Sequence, residues 1–317
     1  MIRIGILGTA RIARAFTGYP MDGIVVEAVA SRDGGRAKAF ADEFGIPQRY
    51  DSYDLLIDSE TIDAVYIPLP PHLHCEYAVK AARAGKHILM EKPAAASAAE
   101  VERIQTACAQ HRVHFMEGLM YRFMAIHDRA KQIVASGTIG TLRYIDFNFC
   151  FDIVHRGRVG YRTNRNEGGG ALLDLGVYAV DFLRFMTAKE PELLNSWMIE
   201  KEVDEFIHAV YRIGDVVATV TCSFISDANY YVLSGSRGSV TSPVAISGRS
   251  LSNRLAIHLL EDDVKYEEEF PPENPYKAEA EHFARLVTAG SSPFPDGANS
   301  LRNLTLLDEL RASSIRL

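Results

Sequence analysis

The chain opens on a strand-like run, Ile2 to Thr9, that turns through Gly8-Thr9-Ala10-Arg11-Ile12-Ala13 into a helix-like run, and this alternation continues to about residue 120. Short β-branched runs at Ile2 to Thr9, Ile24 to Ser31, Ala64 to Leu69, His87 to Glu91 and Val113 to Gly118 are separated by helix-length stretches starting near Ala10, Gly34, His72 and Ala96. Strands joined through helices must run parallel, with both sheet faces covered. Residues 1–120 are therefore expected to form a doubly wound Rossmann domain. Its first turn matches GxGxxG/A with Ala10 at the second glycine. Such a turn holds a pyrophosphate on backbone N–H groups and the helix dipole. A ligand-free tight turn would use the same residues, and the sustained alternation favours the nucleotide. Gly8, Thr9, Ala10, Arg11 and Ile12 are the residues assigned to it.

After Tyr121 the pattern changes. A helix near Ile126 to Ser136 precedes Leu142 to Phe151, where Ile145, Phe147, Phe149 and Phe151 alternate with Asp146, Asn148 and Cys150. Period two marks a strand with two unlike faces. Further strand-like runs at Leu193 to Glu200, Glu205 to Ile213, Val216 to Phe224, Tyr230 to Ser234 and Leu255 to Leu260 predict an open, largely antiparallel sheet over 121–317, with helices on one face. Those helices include two at the chain's end, near Tyr276 to Thr288 and Ala298 to Ser314. Helices on one face leave the other to solvent or a partner, and its residues look too apolar for water, so a homo-oligomer through this sheet is expected.

Cofactor choice is written where the second strand ends, in Ser31-Arg32-Asp33. A hydroxyl followed by a guanidinium suits a ribose 2′-phosphate, which an acidic side chain at position 31 would repel. This predicts NADP(H), with NAD possible if Asp33 is instead the ribose ligand. The fifth strand ends in Glu91-Lys92-Pro93, at the edge where open α/β sheets bind ligands. Farther on, Gly168-Gly169-Gly170 precedes an almost wholly apolar helix carrying Asp174, Tyr178 and Asp181. At helical spacing these lie within about 60° of one another. A tyrosine there can exchange a proton with a substrate hydroxyl if a nearby cation lowers its pKa from about 10, and Lys92 or an oxidised nicotinamide would serve.

These segments together resemble the glucose-fructose oxidoreductase / inositol dehydrogenase / rhizopine-catabolism (Gfo/Idh/MocA) family. The likeness runs through GILGTARIA, AVASRD, YIPLPPHLH, AGKHILMEKP, MEGLMYRF, GYRTNRNEGGGALLDLGVYAVD and NPYKAEAEHFA. It implies that Lys92, Asp174 and Tyr178 carry catalysis, with Tyr178 resembling the dihydrodiol and xylose dehydrogenase branch. It also implies that His74 lines the nicotinamide side, that Arg122 and Arg162 hold substrate hydroxyls unless they pair with nearby carboxylates, and it raises a cis Lys92–Pro93 peptide. Leu69, Pro70, Glu91 and Lys92 complete the expected cofactor set, with Glu91 as an orienting partner of the lysine. The His72-x-His74 pair carries no placed carboxylate, so no metal is assigned.

The expected function is an NADP(H)-dependent dehydrogenase of a sugar, polyol or vicinal diol. The alternatives are a keto-sugar (nucleotide) reductase of a biosynthetic pathway and a catalytically silent NADP-binding regulator. A formal charge of -7, with 34 basic and 41 acidic residues evenly scattered, argues against nucleic-acid or anionic-membrane partners. The four cysteines are widely separated, and the chain enters its first strand with no leader, so a cytoplasmic location is expected.

Overall fold

A computed structural model describes residues 1–246, 253–289 and 297–317. The chain divides into one unit of Met1–Leu119 with Tyr276–Thr305 and another of Met120–Pro275 with Leu306–Leu317.

In the first unit, β1 (Ile2–Leu7), α1 (Arg11–Thr17), β2 (Ile24–Ala30), α2 (Gly34–Phe44), β3 (Gln48–Tyr50), α3 (Tyr53–Ile57), β4 (Ala64–Ile67), α4 (Pro71–Arg83), β5 (His87–Glu91), α5 (Ala98–His111) and β6 (Phe115–Gly118) alternate as expected. The strands form one parallel sheet in the order β3-β2-β1-β4-β5-β6, with its chain reversal between β1 and β4. Ile4 and Ile6 are wholly buried, as strands covered on both faces require. Local chemistry sets the helix ends. Asp33 accepts the Gly35 and Arg36 amides to start α2, and Gly45 at φ 65° ends it. At α5, Ser97 accepts the Glu100 amide while Glu100 Oε2 accepts the Ala96 amide, a variant of the capping box.

The second unit begins with α6 (Ala125–Ala135) and β7 (Leu142–Cys150), then a π-helical turn, Leu172–Gly176, that runs directly into α7 (Val177–Thr187). Strands β8 (Glu192–Glu200), β9 (Asp204–Ile213), β10 (Val216–Ser223), β11 (Ala228–Gly235), β12 (Gly238–Ser242), β13 (Asn253–Leu259) and β14 (Val264–Phe270) follow. After α8 (Pro275–Ala289) and α9 (Gly297–Ser313) the chain ends in the short strand β15 (Ile315–Arg316). The nine-stranded sheet has the order β14-β13-β12-β11-β7-β10-β9-β8-β15. Its pairs are antiparallel except β7 with β10 and β8 with β15.

Two features differ from the sequence reading. The stretch Tyr276–Thr305 packs with the first unit, because α8 places Ala280, Phe283, Ala284 and Leu286 in the same core as Ile4, Ile6, Phe16 and Tyr66. The outer sheet face is also less apolar than expected. Ile145, Phe147, Ala218 and Val220 are buried, whereas the alternate positions carry a polar network. Thr219 Oγ1 donates to Asp146 (2.9 Å) and lies 2.6 Å from Tyr144 Oη, and His208 Nδ1 lies 3.0 Å from Thr221 Oγ1. Tyr144, Val217 and Tyr230 remain substantially exposed. Among the described residues no helix is long and apolar enough to cross a membrane.

Candidate active site

The carboxyl edge of the parallel sheet collects the nucleotide residues. Gly8 has φ 105°, and a Cβ there would press on Leu69 Cδ2 at 3.1 Å, so the turn needs glycine for conformation and for space. Ala10 occupies the cap of α1 without a side chain able to accept a hydrogen bond. The Ala13 amide donates to the Ala10 carbonyl (3.0 Å), and no side chain caps the turn, an arrangement that suits a phosphate site. Thr9 and Ile12 are half-buried there and Arg11 is exposed. At the end of β2, Ser31 is buried and its Oγ accepts the Asp33 amide (3.2 Å), while Arg32 is exposed. Asp33 is engaged as the cap of α2 and pairs with Arg36 at 3.5 Å. These residues fit a dinucleotide whose adenosine ribose bears a phosphate: Ser31 and Arg32 would hold that phosphate, and the α1 turn the pyrophosphate.

Lys92 follows β5 in a loop fastened from several sides. Glu91 Oε1 accepts the Tyr66 hydroxyl (2.7 Å), Lys92 is half-buried, and the Lys92–Pro93 peptide is cis. Ala94 N donates to Glu117 Oε1 at 2.8 Å. His74, wholly buried, lies between the Pro93 carbonyl (2.8 Å from Nδ1) and the Leu69 carbonyl (2.7 Å from Nε2). Burial pushes its pKa down to about 4 against the pull of the two carbonyls, so near neutral pH the ring is uncharged and donates to one of them at a time. His74 therefore ties the Leu69-Pro70 turn to the lysine loop, with its ring buried between the two carbonyls.

Sequence reasoning passed over Glu117 as a support of this loop, and over Glu279 on α8 altogether. Glu279 is buried, and a Cβ on Gly118 would lie 3.3 Å from its Oε1. Burial, then the charges of Glu91 and Glu117, push its pKa well above the ordinary carboxylate value. Glu279 stands within the quoted NPYKAEAEHFA segment, where an acidic residue on an otherwise apolar helix face was the available signal.

In the second unit the triple glycine allows a tight approach. A Cβ on Gly169 would meet the Tyr161 carbonyl at 2.5 Å, and one on Gly170 would strike the Asp204 carboxylate, which accepts the Leu172 amide. The π turn then adds a residue to the helical turn, changing the angular relation of Asp174 to the residues beyond it. Asp174 and Asp181 accordingly serve different arginines. Arg162 Nε donates to Asp174 Oδ2 (2.7 Å) and its Nη2 to Oδ1 (3.4 Å), joined by the Tyr161 hydroxyl at 3.3 Å. Arg122 donates to both oxygens of Asp181 (2.6 and 2.7 Å), as does Tyr121 Oη to Oδ2 at 2.5 Å. With its side chain only 2% exposed, Arg122 takes the ion-pair role, with Asp181 as partner. Tyr178 lies buried between Phe149 and Tyr121, its hydroxyl 3.8 Å from Met120 Sδ.

Comparison with known proteins agrees with these two halves. Residues 2–119 match the oxidoreductase family with an NAD-binding Rossmann fold, and residues 127–241 match the GFO/IDH/MocA C-terminal domain. A D-xylose 1-dehydrogenase (NADP(+)) of Haloferax volcanii is 32% identical over 98% of this chain and 96% of its own length. A trans-1,2-dihydrobenzene-1,2-diol dehydrogenase of Mus musculus is 34% identical over 75% of this chain and 73% of its own. The crystal structure of a 3-ketoreductase from Actinomadura kijaniata in complex with NADP and TDP-benzene superposes with a TM-score of 0.91 at 28% identity, covering 100% of this chain and 98% of that one.

Proposed function

This chain belongs to the Gfo/Idh/MocA oxidoreductase family, and from that premise we propose that it transfers a hydride between NADP(H) and the CH–OH or carbonyl carbon of a sugar, polyol or vicinal diol. The observation that carries the reading is the carboxyl edge of the parallel sheet, which presents the Gly8 turn, Ser31-Arg32 and the fastened Lys92 loop together. Similarity to a xylose dehydrogenase, a dihydrobenzenediol dehydrogenase and a 3-ketoreductase supports the substrate class and leaves both directions in play. The test is a screen with NADP+ and NADPH across aldoses, dihydrodiols, inositols and 3-keto sugars, read by nicotinamide absorbance. Binding of NADPH with no turnover on any of them would favour the silent regulator.

The nicotinamide supplies a hydride acceptor or donor at C4. The chain must move the accompanying proton on the substrate oxygen. Tyr178 is assigned as general acid/base, and Lys92 as the cation that favours its ionised form and hydrogen-bonds that oxygen. Asp174, expected to orient Lys92 or a substrate hydroxyl, is assigned instead as the anchor of Arg162 on the strength of their two hydrogen bonds.

The end of β2 gives a cofactor prediction. Because Asp33 is occupied in capping α2, NADP(H) should bind at least about tenfold tighter than NAD(H), about 1.4 kcal/mol. Arg32→Ala should erase most of that difference and leave NAD(H) affinity almost unchanged. Titration calorimetry giving equal dissociation constants for the wild type would reject the assignment.

Assembly through the outer face of the nine-stranded sheet is part of the same reading. Tyr144, Val217 and Tyr230 standing exposed amid paired hydroxyls support it, since interfaces mix aromatic anchors with satisfied polar groups. Light scattering at micromolar concentration should give at least a dimer, and a monomer would end the proposal. The four cysteines are all buried thiols, in keeping with a cytoplasmic location.

A further inference from the structure

Lys92 stands between two fastened points of the first unit. On its amino side Glu91, the last residue of β5, accepts the Tyr66 hydroxyl at 2.7 Å. On its carboxyl side the peptide group joining Pro93 to Ala94 is held at both ends, by side chains from different elements. Its N–H donates to Oε1 of Glu117 on β6 (2.8 Å), and its carbonyl faces Nδ1 of His74 in the first turn of α4 (2.8 Å). Glu117, His74 and Ala94 are wholly buried, so water does not compete for that peptide. Glu117 is itself fixed by register, opposite Met90 of β5 in the parallel sheet. The ring of Pro93 sets its φ, and a held peptide after it sets its ψ. Pro93 is thereby left without a free backbone angle.

We propose that Glu117 and His74 are positioning residues for Lys92: the carboxyl oxygen of one and the Nδ1–H of the other clamp the Pro93–Ala94 peptide from opposite ends, and so fix the point from which the lysine side chain reaches the reaction. The inference rests on the assignment of Lys92 to the chemistry. A misplacement of about 1 Å can cost a catalytic group about a hundredfold in rate, and lysine carries its charge on a flexible stem, so the backbone is what the fold can hold still. The two holds reinforce each other. Uncharged near neutral pH, the His74 ring has one N–H for the two carbonyls it faces, those of Pro93 and Leu69. Donation of the Ala94 N–H to Glu117 polarises its peptide and makes the Pro93 oxygen the better acceptor. The Leu69 carbonyl belongs to a peptide whose nitrogen is that of Pro70, which has no hydrogen to donate.

The sequence supplies a direct probe. Pro93-Ala94 is its one Pro-Ala pair, so protein labelled with 13C at proline carbonyls and 15N at alanine gives a single carbonyl–amide correlation. Its 13C reads the His74 end of the peptide and its N–H the Glu117 end. In the wild type the amide should exchange slowly with solvent. Glu117→Met should speed exchange at least about tenfold and shift the carbonyl too, whereas Glu117→Gln keeps an acceptor oxygen and should keep exchange slow. His74→Leu should move the carbonyl resonance. His74→Asn, whose amide nitrogen falls near Nδ1, should restore it better than His74→Gln, whose amide nitrogen falls near Nε2. On a substrate from the screen, kcat should follow the resonance, falling about ten- to a hundredfold in Glu117→Met and His74→Leu. Glu117→Gln and His74→Asn should recover most of it, with the NADPH dissociation constant within a few-fold of wild type throughout. A wild-type amide that exchanges freely overturns the inference even if no variant folds. So does a kcat that ignores the resonance, the pattern of a merely structural bond, or one that falls equally in Glu117→Gln and Glu117→Met, the pattern of a charge. NADPH affinity lost in step with kcat in the His74 variants would also overturn it, by putting the imidazole in the service of the Leu69 turn. Near-normal turnover in Lys92→Met would strike the assignment of the lysine instead, and the correlation separates the two failures because it needs no turnover.

Discussion

Tyr178→Phe is expected to lower turnover by about two to four orders of magnitude while leaving NADP(H) affinity within a few-fold of wild type. The phenol lies among Phe149, Tyr121 and Met120, so losing one hydroxyl opens no cavity and the loss should fall on chemistry. The phosphate-binding features at Gly8 and Ser31-Arg32 belong to the other unit and are untouched. Lys92→Met should be comparably severe. Lys92→Arg should restore charge, yet a guanidinium cannot release a proton near neutral pH and presents a planar fork instead of a point charge. The set separates two mechanisms. If Lys92 itself transfers the proton, Tyr178→Phe will be mild and both lysine variants severe. If Tyr178 does, Lys92→Arg should keep more activity than Lys92→Met. Near-normal turnover in both Tyr178→Phe and Lys92→Met would mean that the reaction uses other residues.

The parts of this molecule legible in the sequence are those whose signal is local. β1, β2, β4 and β5 are largely apolar runs with mostly buried side chains, and Lys92 was singled out because a strand end in a parallel sheet has a known use. β3 and α3 were not anticipated, since three and five residues are too few for a period to register. β14 was missed for another reason: in Val264–Phe270 the alternation of Val264 and Tyr266 with polar residues is interrupted by the run Glu267, Glu268 and Glu269 on an edge strand. At the site, pairing of the arginines with carboxylates was among the readings, and the structure shows it for Arg162 with Asp174, whereas the partner of Arg122 is Asp181. Asp174, Tyr178 and Asp181 form one stripe only if the helix is regular from end to end, and the π turn at Leu172–Gly176 breaks that assumption. The partners Arg122 and Arg162 lie 59 and 12 residues from their aspartates, and such ion pairs leave no periodic trace.

Asp181→Asn should cost about 3–5 kcal/mol of stability, because it leaves the Arg122 guanidinium buried without a counter-charge. Arg122 and Asp181 have side-chain exposures of 2% and 0%, so water cannot take over the lost role. Arginine cannot escape by deprotonating. Tyr121 depends on the same carboxylate and would lose its acceptor as well. Chemical denaturation of the variant should show this loss; a change under about 1 kcal/mol would show that the pair is solvated in solution. Removing the whole network, as Tyr121→Phe/Arg122→Met/Asp181→Leu, should recover most of the difference, since apolar side chains of similar volume carry no desolvation penalty. The two variants then isolate what the network contributes beyond stability. Tyr121 stands edge-on to Tyr178, with the ring planes at 73°. A charged pair that cannot rearrange fixes Tyr121, and Tyr121 in turn limits how far the Tyr178 ring can tilt. The apolar triple variant should therefore fold with near-native stability yet show reduced turnover at unchanged NADP(H) affinity. The network's contribution is then to the placement of a phenol rather than to the free energy of the fold.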